Sequence, residues 1–292
     1  MKRFFTVLLA LCTISLSGCT DIRRRRYGKS LSIQTISKTA QMLCYDEDSL
    51  ITAAYTAPQM LPDALSQASG MEVHFGHLAI LMVQSQNSAV VRDLLSARFI
   101  VPTCPVLLSD KPIEINENAN ISDRLDAAVR TGLIPLRTVG DAVGDWQHST
   151  CTTLLPYLQD GNFRLAVCDE SHVLSILSED ASRGAALLCG SWKKFSCTDD
   201  NNATSLKKCR CRLSVSNEGE RLILHADAKI SVLTGNESAA QNAVRRMLTA
   251  FLREAVCAGG TDTCFLQETA AKFGVHDLSA EQLRNAEISV SV

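Results

Sequence analysis

The residues best suited to chemistry in this chain are its thiols. The 292-residue sequence holds 12 cysteines, and Cys189, Cys197, Cys209 and Cys211 fall within one polar stretch. Their spacing is C-x7-C-x11-C-x-C. Four thiols that close could pair as disulfides in an exported protein, stay free, or hold a metal ion. The spacing lacks the C-x2-C pairs of common zinc modules, so no metal site is assigned and a disulfide or thiol cluster is expected. Asp199-Asp200-Asn201-Asn202 gives the stretch Cys197 to Lys208 the look of an exposed loop. Cys257 and Cys264 flank Gly259-Gly260. Cys44, Cys104 and Cys168 sit in apolar runs and read as buried small hydrophobes.

Catalytic patterns are missing from the sequence. It has no Gly-rich phosphate loop, no G-x-S-x-G elbow and no H-E-x-x-H. His74 and His77 form H-x-x-H, but the segment reads as strand, where three-residue spacing sends the rings to opposite faces. His148, His172, His225 and His276 stand alone, and Asp46-Glu47-Asp48 falls in a turn. A formal net charge of −2 supplies no general pull towards nucleic acid. A non-catalytic protein with no catalytic residues, no cofactor and no nucleic-acid partner is expected.

One further thiol has a different setting. Lys2-Arg3 precedes an apolar run from Phe4 to Leu16, of the length of a signal-peptide core and short for a membrane span. Leu16-Ser17-Gly18-Cys19 follows. This looks like the lipobox of bacterial lipoproteins: a branched apolar residue, two small ones, then the cysteine whose thiol takes the lipid. Cys19 is therefore the expected lipidation site and new N-terminus, anchoring the chain to the outer face of the cell membrane. Arg23 to Arg26 reads as a solvated tether or as a contact for anionic head groups, about 1 kcal/mol per basic residue near the surface. Either reading leaves it outside the folded body.

The elements that must position these residues follow from periodicity. Leu31 to Ser37 and Thr39 to Tyr45 read as strands, and Ser49 to Tyr55 as a capped helix. Leu61 to Ser69 is a helix stopped by Gly70, and Val73 to Val83 a strand buried on both faces. A helix over 88–99 and a strand over 101–108 follow. Helices are expected over 121–129 and 139–158, and strands at Asn162 to Val167, Leu187-Leu188 and Leu213 to Val215. Arg221 to Leu233 alternates, with Leu222, Leu224, Ala226, Ala228, Ile230 and Val232 on one face. Asn236 to Ala258 is the clearest helix, capped at Asn236 or Ser238, and Glu287 to Val292 a terminal strand. The pattern predicts an α+β or mixed α/β fold of two to three consecutive small domains with mixed sheets. Its expected divisions are a signal peptide over 1–18, a lipidated tether over 19–29, an N-terminal α/β domain over 30–112, a middle segment over 113–161 and a C-terminal α+β domain over 162–292.

Taken in order, these segments resemble the Ger(x)C family, the lipoprotein C subunit of bacterial spore germinant receptors. Cys19-Thr20-Asp21-Ile22-Arg23-Arg24 is similar to that family's lipidated cysteine followed by W-D-R-R-E, with Thr20 in place of the Trp. Asp63-Ala64-Leu65 before Phe75-Gly76-His77-Leu78 matches its short helix before "fgHl". Leu155-Pro156, Phe163 to Cys168 and Arg183-Gly184 fall where the family has "lP", an "l-a-v-F" strand and an "r-G-l-l" run. The early "G-I-D" strand signature is missing, which marks a divergent member. The resemblance implies small α/β domains in a row, no catalytic residues, a lipid anchor in the spore inner membrane, and two membrane-embedded partner subunits. An unrelated solute-binding or scaffold lipoprotein is the alternative.

Overall fold

The computed structural model describes residues 25–45, 49–84, 89–115, 120–147, 152–199, 202–218, 221–264, 266–272, 275 and 278–292. Two sheets organise them. The larger has nine strands: β1 (Arg25–Gln34), β2 (Thr39–Cys44), β3 (Leu50–Ala54), β4 (Glu72–His74), β5 (Ile80–Gln84), β6 (Val106–Ser109), β7 (Thr153–Gln159), β8 (Asn162–Cys168) and β9 (Val173–Ile176). Their order is β3-β2-β1-β5-β6-β7-β8-β9, with β4 beside β1. The central β1, β5, β6 and β7 run parallel, while the pairs on either flank are antiparallel. Parallel neighbours need long crossovers, and these carry helices α1 (Leu61–Ser69), α2 (Ala89–Ser96), α3 (Ile121–Arg130) and α4 (Val139–Gln147).

The run Ile80 to Val83 is wholly buried because helices cover both sides of the sheet. Its side chains alternate between two cores. Leu81 and Val83 join Leu65 of α1, Leu94 of α2 and Trp146 of α4. Ile80 and Met82 join Leu125 and Val129 of α3, in a core that continues into the second sheet.

That second sheet follows α5 (Glu179–Cys189) and contains β10 (Phe195–Asp199), β11 (Asn202–Glu218), β12 (Arg221–Thr234) and β13 (Glu287–Ser291), in that order. β13 runs parallel to β12, and the other pairs are antiparallel. Helix α6 (Glu237–Phe251) packs on one face together with α5. A π-helical turn, Leu252–Cys257, leads to the short helices α7 (Leu266–Ala271) and α8 (Ala280–Arg284). Ser178 starts α5 by accepting the N–H of Ala181 at 3.2 Å, and Asn236 starts α6 by accepting that of Ala239 at 3.1 Å. The two helices approach closely at Gly184, where a Cβ would lie 2.8 Å from Phe251 Cβ and would strike the backbone of Met247.

The fold is therefore α+β with two mixed sheets, as the sequence pattern implies. Strands of the large sheet come from all three segments that the sequence separates: β1 to β6 from its first part, β7 from the middle, β8 and β9 from the last.

Several local expectations are corrected. Arg25 and Arg26 are not in a free tether: they open β1 and pair with Glu72 and Val73 of β4, while Arg23 and Arg24 lie outside the described residues. The expected helix at 49–55 is β3, since Ile51 and Ala53 can turn inward when the segment pairs with β2. The expected strand over 73–83 is two strands, β4 and β5, broken around Gly76. The expected helix over 139–158 stops at Gln147, and its second half is β7. Leu187-Leu188 belongs to α5, where Leu187 faces the core. Cys197 to Lys208 is no loop but the hairpin of β10 and β11.

Candidate functional site

Cys19 lies outside the described residues. The four clustered cysteines do not share one loop. Cys189 ends α5, Cys197 lies in β10, and Cys209 and Cys211 lie in β11. Residues two apart on a strand share a face, so the Cys209 and Cys211 sulfurs meet at 3.4 Å. Cys197 is buried and pairs with Thr204, further along the hairpin. A cavity of about 290 Å³ opens between the sheets, with Cys189, Cys211 and Cys264 in its wall beside Arg137, Asp145 and Phe251. The structure thus brings Cys189 to the same cavity as Cys211, leaves Cys197 and Cys209 out of its wall, and adds Cys264.

The wall of this cavity holds its thiols protonated. Burial pushes the Cys264 thiol up to about 12, and nearby Asp262 and Cys189 push the same way against the Thr263 hydrogen bond and Arg137. Cys189 is exposed to solvent at the end of α5, yet the protein packed around its thiol raises it, in spite of the Arg137 charge. Cys209 and Cys211 titrate as a pair: the hydrogen bond between them lowers Cys209 and, with burial, raises Cys211. The thiolate is the reactive form of cysteine, so a protonated wall is a poor nucleophile. Arg137 pulls the Cys189 and Cys264 thiols down, but by less than burial pushes them up, and its guanidinium is itself held in hydrogen bonds. Its Nε donates to the Leu154 carbonyl at 3.0 Å, and Nη2 donates to Thr153 Oγ1 at 3.1 Å and to Asp145. Among the described residues, no histidine lines the cavity. Among the described residues, no three of His, Cys, Asp and Glu gather closely enough to hold a metal ion.

His74 and His77 are placed differently from their sequence reading. β4 ends at His74, so strand alternation does not extend to His77. Both rings flank Tyr27, at centroid distances of 5.6 and 5.7 Å. His74 Nε2 also lies 3.3 Å from Glu72. They form an aromatic cluster beside the start of β1.

The outer face of the second sheet is wet. Lys208, Arg210 and Arg212 of β11 and Asp227 and Lys229 of β12 are exposed along it. Among the described residues, no helix is long and apolar enough to cross a membrane. Sequence reading missed Cys264 as a neighbour of Cys189 and Cys211. The only available hint was the unusual number of cysteines, since their approach depends on how α5, β11 and the segment after the π-helical turn assemble.

No family model matches this sequence, and no significant match is found among curated proteins. Among solved structures the chain is similar to the crystal structure of the GerBC protein, with a TM-score of 0.52 over 87% of this chain and 90% of that one, at 13% identity. The likeness takes in both sheets, and the chain has a GerBC-like fold.

Proposed function

We propose that this chain is a membrane-anchored, non-catalytic lipoprotein subunit of a spore germinant receptor, needed for nutrient-triggered germination. The observation that carries the reading is the GerBC-like fold, which extends over 87% of the chain. One feature agrees with it: Leu16 to Cys19 has the form of a lipidation signal. In this reading Cys19 carries the lipid, the bilayer holds the chain on the outer face of the membrane, and the folded body offers docking surface to membrane-embedded subunits. Confinement to two dimensions raises the effective concentration for such partners, so modest contacts suffice.

The test is germination of spores whose only copy of the gene carries Cys19→Ala. The substitution removes the acylated thiol while leaving the described body untouched. Loss of the protein from the membrane fraction, with a slowed response to some nutrients in otherwise intact spores, is the expected result. A normal response to every nutrient, in a strain without a second receptor, overturns the proposal.

A further inference from the structure

Arg183 is a half-buried arginine with one nitrogen left unpartnered. It projects from α5 next to Gly184, and its guanidinium lies over the Phe195 ring, 4.8 Å from the centroid. Nη2 donates to the Ser196 carbonyl oxygen. Nε is buried without a hydrogen-bond partner. The nearest acidic candidates on α5 are taken: Glu179 pairs with Arg164 at 3.2 Å, and Asp180 with Arg246 at 2.9 Å. Arg137 offers the contrast, with Asp145, Thr153 and the Leu154 carbonyl all accepting from it.

Beside Arg183 is a second cavity, of about 330 Å³, lined by Thr131, Leu133, Arg183, Lys194 and Ser196. Among the described residues its wall holds two cations and no carboxylate. Both Thr131 hydroxyl contacts run back to its own helix, to the carbonyls of Ala127 and Ala128. Ser196 Oγ meets Ser205 Oγ at 3.2 Å and can still offer a hydrogen to a ligand while accepting from Ser205. The Lys194 backbone is fixed by its N–H bond to the Arg130 carbonyl at 2.9 Å, while its side chain is exposed. Burial, the largest influence on Arg183, works against its charge, as does Arg246, while Glu179, Cys197 and Asp180 favour it from a distance.

At the Nε of this half-buried guanidinium the lost hydration is not replaced, which is costly. An oxyanion would replace it with charge-assisted bonds, for which the planar fork of arginine is shaped. Leu133 adds an apolar side chain to the same wall, which suits a ligand with a short hydrocarbon part. We propose that this cavity binds a small organic carboxylate, its oxygens held by Arg183 and Lys194 and its tail against Leu133. The proposal does not depend on the receptor reading.

Isothermal titration of the purified full-length protein with butyrate, with inorganic phosphate and with chloride, at constant ionic strength, tests it. Butyrate should bind saturably and more tightly than phosphate, and chloride should not bind. Arg183→Gln should weaken butyrate at least about tenfold, and Lys194→Ala by roughly threefold, as expected for losing a buried and an exposed charge-assisted bond. Lys194→Ala touches only an exposed side chain, so it remains informative if Arg183→Gln folds poorly. Trp192 packs at a tilt against Phe195 with centroids 5.4 Å apart, so its fluorescence should shift on binding in the wild type and not in Arg183→Gln. Absence of saturable butyrate binding, equal affinity in both variants, or tighter binding of phosphate than of butyrate each overturns the proposal.

Discussion

The two sheets of this molecule meet water on different terms. The nine-stranded sheet is sandwiched: α1, α2 and α4 cover one face, and α3 with the neighbouring core covers the other. The four-stranded sheet is covered by α5 and α6 on one face and wet on the other. In the first, every residue of β5 and β6 is buried, so a strand is a continuous apolar run. In the second, half of each strand is polar, and only alternation distinguishes a strand from a loop. Stability should therefore be concentrated in side chains at the centre of the large sheet, and in helix contacts and surface charge around the small one.

The largest effect expected of this comparison is at Leu107 in β6, which is 0% exposed and belongs to the core shared by both sheets. Leu107→Ala removes buried methyl groups from a site that neighbouring strands hold open. It should destabilise by about 2–5 kcal/mol. Leu233→Ala on β12, 62% exposed, should stay within about 0.5 kcal/mol of wild type. Urea unfolding of both variants checks the contrast, and equal midpoints for the two would remove it.

A second, smaller effect should appear where the small sheet receives its helices. Gly184→Ala places a methyl group against Met247 and Phe251, and Met247 presents backbone there, which cannot rotate away. The added methyl should improve the intrinsic helix propensity of α5 and yet lower stability, by about 1–3 kcal/mol of overpacking. A thermal midpoint at or above that of wild type would mean that α5 and α6 are further apart than described.

The same comparison explains what was legible in the sequence. β12 could be read from Leu222, Leu224, Ala226 and Ala228 because its alternation is unbroken. α6 could be read from its cap and its stripe of Val244, Met247, Leu248 and Phe251. β10 and the part of β11 before Leu213 were hidden for two physical reasons. Their inward positions are partly filled by Cys197, Cys209 and Cys211, which register poorly as strand residues. The pairing also shifts between Leu206 and Lys208, so inward side chains change from even numbers, Thr204 and Leu206, to odd ones, Cys209 and Val215. A search for period two loses its phase at that point. β7 was hidden because Leu154 to Leu158 is a continuous apolar run, which periodicity cannot separate from a helix. Its Pro156 is tolerated because β6 reaches only Tyr157 and Leu158. The thiol cavity was legible as residues but not as a place, because Cys189 and Cys264 come from distant parts of the chain.

The smallest effect is the one most specific to the wet face. Register places Arg210 of β11 directly opposite Lys229 of β12, both exposed, and Arg212 opposite Asp227. The first is a pair of like charges and the second a pair of opposite charges. Directly opposed side chains on a sheet lie close enough for like charges to destabilise and unlike charges to stabilise. Lys229→Glu converts the first pair into the second kind, so it should raise stability by about 0.2–1 kcal/mol at low ionic strength. Because both groups are in water, the gain should fade as salt is raised through about 1 M, where the screening length falls to roughly 3 Å. Lys229→Gln, which removes the repulsion without adding an attraction, should lie between the two. Urea unfolding at low and high salt measures all three proteins. A gain that persists unchanged in high salt would point to packing rather than charge, and would place Lys229 on a covered face.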